Sequence, residues 1–213
     1  MLSIARFKDA RLVSRLARIS EAVAANPSWS FPKLFSSSAE LEAAYRFFGN
    51  PLVTPHAVLS EHFDEVRQKA SQAETMLVIH DTSTFSFDPE GAREGLGRVR
   101  SSGQAFFGHF ALVISDDETR CPVGVAELKT WIRGESPSDE RARWFDLVSL
   151  SAQRLAGANL IHVMDREADD YLLLSQLTRN HHRFIIRVAH DRLLIPNDNG
   201  ATKHLGCDGC VAL

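Results

Sequence analysis

Apolar residues recur at helical spacing in the first part of the chain. In residues 7–25 they stand three or four positions apart, which is the spacing of one buried helix face, at Leu12, Leu16, Ile19 and Val23. The segments SSSAELEAAYRFF and TPHAVLSEHFDEVRQKA predict two further helices, with Ser38 and Thr54 as their capping residues. The pattern therefore predicts a small all-helical domain over residues 1–70.

After residue 70 the pattern changes to short apolar runs separated by helical stretches. Strands are predicted, in chain order, by TMLVIHD, QAFFGHFALVIS, RCPVGVAELKTW, NLIHVMD and HRFIIRVAH. Helices are predicted by SPSDERARWFDLVSLSAQRLAG and READDYLLLSQLTRN. Their expected packing positions are Trp144, Leu147, Val148, Leu155, Ala168, Tyr171, Leu172 and Leu174. This order predicts an α/β domain over residues 71–195, with helices on the faces of a sheet. Residues 196–213, rich in Gly and Cys, predict an irregular tail.

The bulk composition is that of an ordinary soluble globular protein. The chain has 213 residues, 44% of them hydrophobic and 24% charged. No apolar stretch approaches the length that spans a bilayer, and the N-terminus lacks the pattern of a secretory signal. The three cysteines, Cys121, Cys207 and Cys210, are an odd set without a framework, which fits a reducing cytoplasm. We therefore expect a cytoplasmic protein with no membrane partner.

Positive charge is concentrated near the N-terminus. Residues 1–50 carry seven Lys or Arg against four acidic residues, although the net charge of the whole chain is −3. Arg11, Arg15 and Arg18 follow helical spacing on one face, beside the apolar face. This stripe predicts contact with a polyanion that begins at the N-terminus. The alternative, which is the commoner case, is a solvated helix face.

Two of the predicted strands end in an aspartate. Asp81 ends MLVIHD, and Asp165 ends LIHVMD. In open α/β sheets the working residues lie at the carboxyl ends of the strands, so neighbouring parallel strands would bring both carboxylates to one edge. Two neighbouring carboxylates repel each other unless a divalent cation neutralises their charge. Oxygen ligands of this kind suit Mg²⁺ or Mn²⁺. The structural alternative is that each aspartate caps a turn or the following helix.

Two other groups give weaker indications. His80 and His162 lie inside apolar runs, where a hydrogen-bonded core histidine is commoner than a metal ligand. Cys207 and Cys210 form a Cys-x-x-Cys pair near His204, which is only part of the ligand set of a zinc site.

Four segments together resemble a known family. They are FKDARLVSRLARISEAVAANP, AAYRFFGNPLVTPHAVL, VIHDTSTFSF and VMDREAD. Their order and their separations along the chain are like those of the family. They resemble the bacterial cut-and-paste insertion-sequence transposases with a DDE site, over residues 7 to about 190. The resemblance implies a ribonuclease-H-like mixed sheet with flanking helices, preceded by a small helical DNA-binding domain. It also implies metal-dependent phosphoryl transfer at transposon ends.

The resemblance assigns roles to five residues. Asp81 matches the first catalytic aspartate and Asp165 the second, and both would hold Mg²⁺ or Mn²⁺. Arg11, Arg15 and Arg46 lie within the segments that contact transposon-end DNA, so double-stranded DNA is the implied partner. The resemblance also suggests a homodimer, or a heterodimer with full-length transposase, associated with the nucleoid in the cytoplasm.

The chain departs from the family at its third catalytic carboxylate. That residue is a glutamate on a downstream helix, within a Tyr, Arg, Glu, Lys signature, and this chain has no glutamate after Glu167. We therefore expect a truncated, catalytically impaired copy whose residues 196–213 are a foreign tail. Three functions stay open: an impaired transposase, a non-catalytic DNA-binding or inhibitory fragment, and a small metal nuclease that uses Asp81 and Asp165 alone.

Overall fold

The structure, a computed structural model, describes most of the chain. It covers residues 7–88, 90–91, 93–98, 103–132, 137–190, 192–194, 203–205 and 210–212. Contacts between residues divide the chain into two compact units, Met1–Glu65 and Val66–Leu213. Within the described ranges, no helix is both long enough and apolar enough to cross a membrane.

The N-terminal unit is helical, as the sequence predicts. Its helices are α1 (Ala10–Ala25), α2 (Ser38–Phe48) and most of α3 (Pro55–Ala70), and a short 3₁₀ turn lies at Phe31–Leu34. Its core contains the buried side chains of Leu16, Ile19, Ala44 and Phe47. The apolar stripe of α1 therefore packs against α2, and only Val23, at the end of the stripe, is exposed.

Side-chain caps fix where two of these helices begin. Ser37 Oγ, rather than the predicted Ser38, accepts a hydrogen bond from the backbone N of Glu40 at 3.2 Å. Thr54 Oγ1 accepts from the backbone N of Ala57 at 3.1 Å, so the predicted cap of α3 is confirmed. Each cap satisfies a backbone donor that has no partner inside the helix.

The second unit is built on a mixed sheet. Its longer strands are β1 (Met76–Phe87), β3 (Gln104–Ser115), β4 (Pro122–Trp131), β5 (Leu160–Met164) and β6 (Phe184–Arg187). The short strands are β2 (Gly97–Arg98), β7 (Arg192–Leu194), β8 (Lys203–Leu205) and β9 (Cys210–Ala212). In space the longer strands follow the order β4, β3, β1, β5, β6. The β1–β3 and β3–β4 pairs are antiparallel, whereas β1–β5 and β5–β6 are parallel. The predicted mixed α/β architecture is therefore present, and its ribonuclease-H-like character stays a prediction.

Two helices connect the later strands and pack on one face of the sheet. They are α4 (Pro137–Arg154) and α5 (Tyr171–Arg179). The side chains predicted to face inward from the α4 segment are buried, namely Trp144, Leu147, Val148 and Leu155. They pack with buried strand residues that include Val78, Val113, Met164 and Phe184. This packing fixes which face of β1 and β5 is hidden.

Helix α5 begins later than the sequence predicts. The segment Arg166–Ala168 forms a 3₁₀ turn, and Asp170 then caps α5 by accepting hydrogen bonds from the backbone N atoms of Leu172 and Leu173 at 2.9 and 3.1 Å. This start rotates Leu173 into the core, where it is buried. Tyr171 and Leu172 are 72% and 55% exposed, so the prediction that they pack inward is wrong.

The described part of the tail contains strands. β9 pairs antiparallel with β6, with Ala212 opposite Ile185, and β8 pairs antiparallel with β7. The prediction of an irregular tail from residue 196 therefore does not hold for residues 203–205 and 210–212. The other tail residues lie outside the described ranges.

Candidate functional site

The two aspartates predicted as catalytic directly follow the last paired residues of the neighbouring parallel strands β1 and β5. Strand β1 continues past Asp81 to Phe87, so the prediction that Asp81 ends its strand is wrong, whereas Asp165 does follow the last residue of β5. In the register of β1 and β5, His80 lies opposite Met164, so Asp81 and Asp165 are the residues that follow this last pair. His80 and Met164 are buried on the helix-covered side, and side-chain alternation along β1 directs Asp81 away from it. Both aspartates are exposed. The structure thus places both where the pairing of β1 with β5 ends, while their chemical roles stay predictions.

The carboxylate of Asp81 lies among side chains of β1 and β3. Ser83 Oγ donates a hydrogen bond to Asp81 Oδ2 at 3.4 Å, as expected for side chains that share one face of a strand. Phe110 of β3 is the register partner of Asp81. On the other face, Thr82 Oγ1 and His109 Nδ1 are 3.0 Å apart, and this contact ties β1 to β3 beside the aspartate.

The acidic segment after β5 mainly organises the local backbone. Asp165 Oδ1 accepts a hydrogen bond from the backbone N of Glu167 at 3.0 Å and so caps the 3₁₀ turn. Asp169 is buried, and its Oδ2 accepts from the backbone N atoms of Ala189 and His190 at 2.7 and 3.0 Å. The capping role considered for Asp165 is therefore confirmed, and the cap also orients the carboxylate at the strand end.

The donor set of this pair fits a divalent cation that prefers oxygen. Asp81 and Asp165 supply carboxylates, which suit Mg²⁺ and Mn²⁺. Over the ranges that the structure describes, three or more His, Cys, Asp or Glu side chains do not come together as a metal site. A cation held by the pair would therefore take its remaining ligands from water or substrate, as Mg²⁺ commonly does.

Buried histidines lie on the hidden face, next to the aspartates. His80 Nε2 and His162 Nδ1 are 2.9 Å apart, and the ring of His109 lies 5.6 Å from that of His80. Burial lowers the pKa of His109 to about 4 and that of His162 to about 3, and it holds the pKa of His80 well below its usual range. The interpretation of His80 and His162 as hydrogen-bonded core residues is confirmed.

The arginines predicted to contact DNA have different surroundings. Arg11 Nη2 lies 2.9 Å from Asp9 Oδ2, although its side chain is 91% exposed. Arg46 Nη1 lies 3.5 Å from Glu42 Oε1, one helical turn away, and both side chains are exposed. A phosphate that approaches either arginine meets the paired carboxylate as well, which weakens the attraction.

Arg15 and Arg18 share a groove between α1 and the segment that precedes α2. The groove is also lined by Ile19, Glu21, Ala22, Leu34, Phe35, Ser36 and Glu40. Hydrogen bonds from Ser36 lower the pKa of Glu40, and the positive charges of Arg18 and Arg15 add to this effect. Arg18 was outside the set assigned by resemblance. Its helical spacing from Arg15 is the sequence signal that places it beside the groove.

The cysteine pair near the C-terminus is mostly outside the described residues. Cys207 is not described, and only the backbone is described for His204 and Cys210, so the zinc interpretation stays a prediction. Cys121 is a free, exposed cysteine.

Comparison with known proteins gives a family match and matches to solved structures. Residues 2–53 match the family model described as transposase DNA-binding. The Mos1 transposase paired-end complex with left transposon end matches over 86% of this chain and 60% of its own, at 13% identity and a TM-score of 0.35. The Mos1 strand transfer complex matches over 86% of this chain and 59% of its own, at 14% identity and a TM-score of 0.31. This chain therefore spans about 60% of the length of the solved chains it matches.

The family match covers the part of the chain that carries the basic helix face. Residues 2–53 contain all of α1 and α2 and the arginines Arg11, Arg15, Arg18 and Arg46. Clustered arginines on a helix are the electrostatic footprint of nucleic-acid binding. The N-terminal part of the chain is therefore similar to the DNA-binding domain of transposases.

Proposed function

We propose that the chain is a transposase, which binds double-stranded DNA at transposon ends and carries the site for phosphoryl transfer there. The observation that carries the proposal is the family match over residues 2–53. The exposed, in-register pair Asp81 and Asp165 supports the chemical part of the proposal. The segments VIHDTS and VMDREAD, together with the strand order, further support a bacterial insertion-sequence enzyme of the DDE type with a ribonuclease-H-like sheet.

The N-terminal helices supply the DNA-binding surface in this proposal. Arg15 and Arg18 would contact phosphates, which adds affinity whatever the base sequence. Arg11 and Arg46 each stand in an ion pair with a neighbouring carboxylate, and Glu21 and Glu40 line the groove of Arg15 and Arg18, so acidic side chains temper the attraction for phosphate at all four arginines. Exposed ion pairs of this kind are weak, so they can open when DNA binds, but the acidic partner stays close.

The aspartate pair supplies the metal ligands in this proposal. Mg²⁺ or Mn²⁺, when bound, stabilises negative charge on the reacting phosphate and activates the attacking hydroxyl group. The residues of the chain hold the ligands in place: the backbone N of Glu167 orients Asp165, and Ser83 donates to Asp81. The parallel pairing of β1 and β5 ends one residue before each aspartate and so holds their backbones on neighbouring strands.

The missing third carboxylate limits what these 213 residues do alone. The sequence contains no glutamate after Glu167 that matches the third residue of the DDE type. One well-placed electrostatic group is worth about 3–4 kcal/mol of transition-state stabilisation, and catalytic groups act as a unit. We therefore propose impaired strand transfer by this polypeptide on its own. A second candidate, a non-catalytic DNA-binding or inhibitory fragment that occupies ends or pairs with full-length transposase, is favoured by the family match, which covers only the DNA-binding part of the chain.

DNA binding by the basic groove tests the proposed function. Fluorescence anisotropy would follow the full chain binding a short labelled duplex at several salt concentrations. The double variant Arg15→Ala/Arg18→Ala should bind more weakly and reduce the slope of log affinity against log salt by roughly two, since each neutralised phosphate contributes about 0.9. A matched control removes two exposed cations of the second unit, Arg120→Ala/Arg179→Ala, and should keep most of the affinity and slope.

The outcome is decided by the difference between the two variants. Equal losses of affinity in the two double variants would show that cations anywhere on the surface attract DNA equally. The groove would then not be the binding site. A parent chain that does not bind the duplex at low salt would contradict the proposed function itself.

A further inference from the structure

Phenylalanine side chains form a continuous surface on the sheet beyond Asp81. Side chains alternate along a strand, so the residues two, four and six positions after Asp81 share its face. The register of β1 and β3 places phenylalanines of the two strands side by side on this face. The surface, named here the phenylalanine platform, is formed by Phe85, Phe87, Phe106 and Phe110.

Three rings of the platform are stacked, the ring of Phe110 is tilted by 54° against that of Phe85, and Phe85 and Phe87 remain partly open. Phe85 and Phe106 are stacked with ring centres 4.8 Å apart and planes at 10°. Phe87 stacks on Phe106 at 6.0 Å and 26°. Phe110, the register partner of Asp81, lies 6.1 Å from Phe85. Phe85 and Phe87 are nevertheless 38% and 42% exposed, so part of each ring remains open to a ligand.

A glycine on β3 allows the phenylalanine rings of the platform to pack closely. Gly108 lies opposite Ser83 on β3, between the positions of Phe106 and Phe110. A Cβ atom at this position would stand 3.0 Å from Cε2 of Phe85 and 3.3 Å from Cε2 of Phe110. A side chain at this position would require the two rings to shift by a few tenths of an ångström. Because glycine has no side chain, Gly108 allows the rings of Phe85 and Phe110 to pack this closely.

A cation stands at the far end of the platform. The guanidinium carbon of Arg93 lies 5.9 Å from the ring centre of Phe87, within the range of a cation–π contact. Arg93 is held there by two hydrogen bonds of 2.7 Å, one from its Nη1 to the carbonyl of Asp88 and one from its backbone N to Gln104 Oε1. The side chain is exposed, so it presents positive charge beside an apolar stacking surface.

We propose that the phenylalanine platform stacks against an unpaired nucleobase of the DNA strand that reacts at Asp81 and Asp165. Aromatic surface with an adjacent arginine is the combination that holds unpaired bases and their phosphates, because every base has a π face. Phe85 follows Asp81 by four residues, about 13 Å along an extended strand, so the bound base lies a few nucleotides from the reacting phosphate. This inference rests on the proposed function, because that function brings DNA to the aspartates.

Single-strand binding by platform variants tests the proposal. The probes are a labelled single-stranded oligothymidine and a blunt duplex of the same length, each titrated with the full chain. Phe85→Leu keeps an apolar side chain but removes the π face, and it should weaken oligothymidine binding about tenfold. Duplex binding should change less than about twofold, because phosphate contacts dominate it. Phe85→Trp restores a large π face and should keep oligothymidine affinity near that of the parent.

Two further variants make the result decisive. Phe87→Leu should act in the same direction as Phe85→Leu and serves if the latter does not fold. Leu150→Ala, which removes an exposed apolar side chain from α4, is the matched control and should leave both affinities unchanged. Oligothymidine affinity that is equal in Phe85→Leu and the parent, or lost equally in Phe85→Leu and Phe85→Trp, would overturn the proposal. A chain that binds oligothymidine through the platform but does not bind duplex would support the platform and contradict the proposed function.

Discussion

At the residue scale, the side chain of Asp165 has an observed structural role and a predicted chemical role. Its Oδ1 caps the 3₁₀ turn through the backbone N of Glu167, and the carboxylate stands one register step beyond the paired residues His80 and Met164. The sequence predicts where both aspartates lie, because each acid directly follows an apolar run, but it does not predict that β1 continues beyond Asp81 to Phe87. The phenylalanine platform is not visible in this way, since TFSF and QAFFGHF have the composition of ordinary core strands and only their register joins them.

Metal binding is the first residue-scale prediction. We expect the chain to bind Mn²⁺, and we expect Asp81→Asn and Asp165→Asn each to weaken that binding by about tenfold or more, because affinity follows the charge of the ligands. Titration followed by the electron paramagnetic resonance of free Mn²⁺ measures this. Asp88→Asn, at an exposed position just after β1, is the control and should bind like the parent. Site variants that bind as tightly as the control would show that the pair holds no metal.

At the element scale, the start of α5 depends on which aspartate caps it. The charged segment after β5 has the composition of a helical first turn, and periodicity alone predicts that the helix starts there. Asp169 instead bonds the backbone N atoms of Ala189 and His190, which breaks the helical path before Asp170. These bonds join residues about twenty positions apart in the chain, so local sequence does not reveal them.

The cap of α5 gives an element-scale prediction. Asp170→Ala removes an acceptor for two backbone N–H groups and should lower the free energy of unfolding by about 1 kcal/mol. Asp170→Asn keeps a good capping side chain and loses only the contact with Arg141, whose Nη1 lies 3.5 Å from Asp170 Oδ2. Urea unfolding should therefore give Asp170→Asn a free energy of unfolding close to that of the parent. Equal destabilisation by both substitutions would assign the effect to the ion pair.

The buried histidines give a pH-dependence at the same scale. In the unfolded chain histidine has a pKa near 6.5, whereas burial holds the pKa of His109 at about 4 and that of His162 at about 3. Between pH 6.5 and about 4 the unfolded chain therefore binds protons that the folded chain excludes. The free energy of unfolding should fall as the pH decreases through this window, by about 1.4 kcal/mol per pH unit for each of these histidines.

Urea unfolding at pH 7 and pH 5 measures this dependence. His162→Asn removes one such group, so the stability lost between the two pH values should be smaller than in the parent. Comparing each protein with its own value at pH 7 cancels the cost of losing the hydrogen bond to His80. An unchanged pH-dependence in the variant would mean that His162 is protonated in the folded protein or does not titrate in this window.

At the scale of the whole molecule, the order of helices and strands could be predicted, but the ends of the sheet could not. The five longer strands and the helices between them each carry a clear periodic or apolar signal. β9 has only three residues in a segment rich in Gly and Cys, and it becomes a strand because the edge of β6 is available for pairing. Such edge pairing depends on the assembled sheet, so the predicted irregular tail was wrong at these residues.

Catalysis gives a prediction for the molecule as a whole. The 213-residue chain, incubated with Mn²⁺ and supercoiled plasmid DNA, should show no strand transfer and at most weak nicking, because under the proposed function one metal position would lack its carboxylate. Any nicking should disappear in both Asp81→Asn and Asp165→Asn. Robust strand transfer that depends on both aspartates would show that another residue of this chain replaces the third carboxylate.

The central claim, that the chain is a transposase, is tested most directly by footprinting on the DNA that flanks its own gene. A transposase recognises the ends of the element that encodes it. We therefore expect protected segments on both sides of the gene, related to each other as inverted repeats, and loss of protection with Arg15→Ala/Arg18→Ala. Protection that is no stronger on the flanking DNA than on unrelated duplex of equal length and composition would contradict the claim.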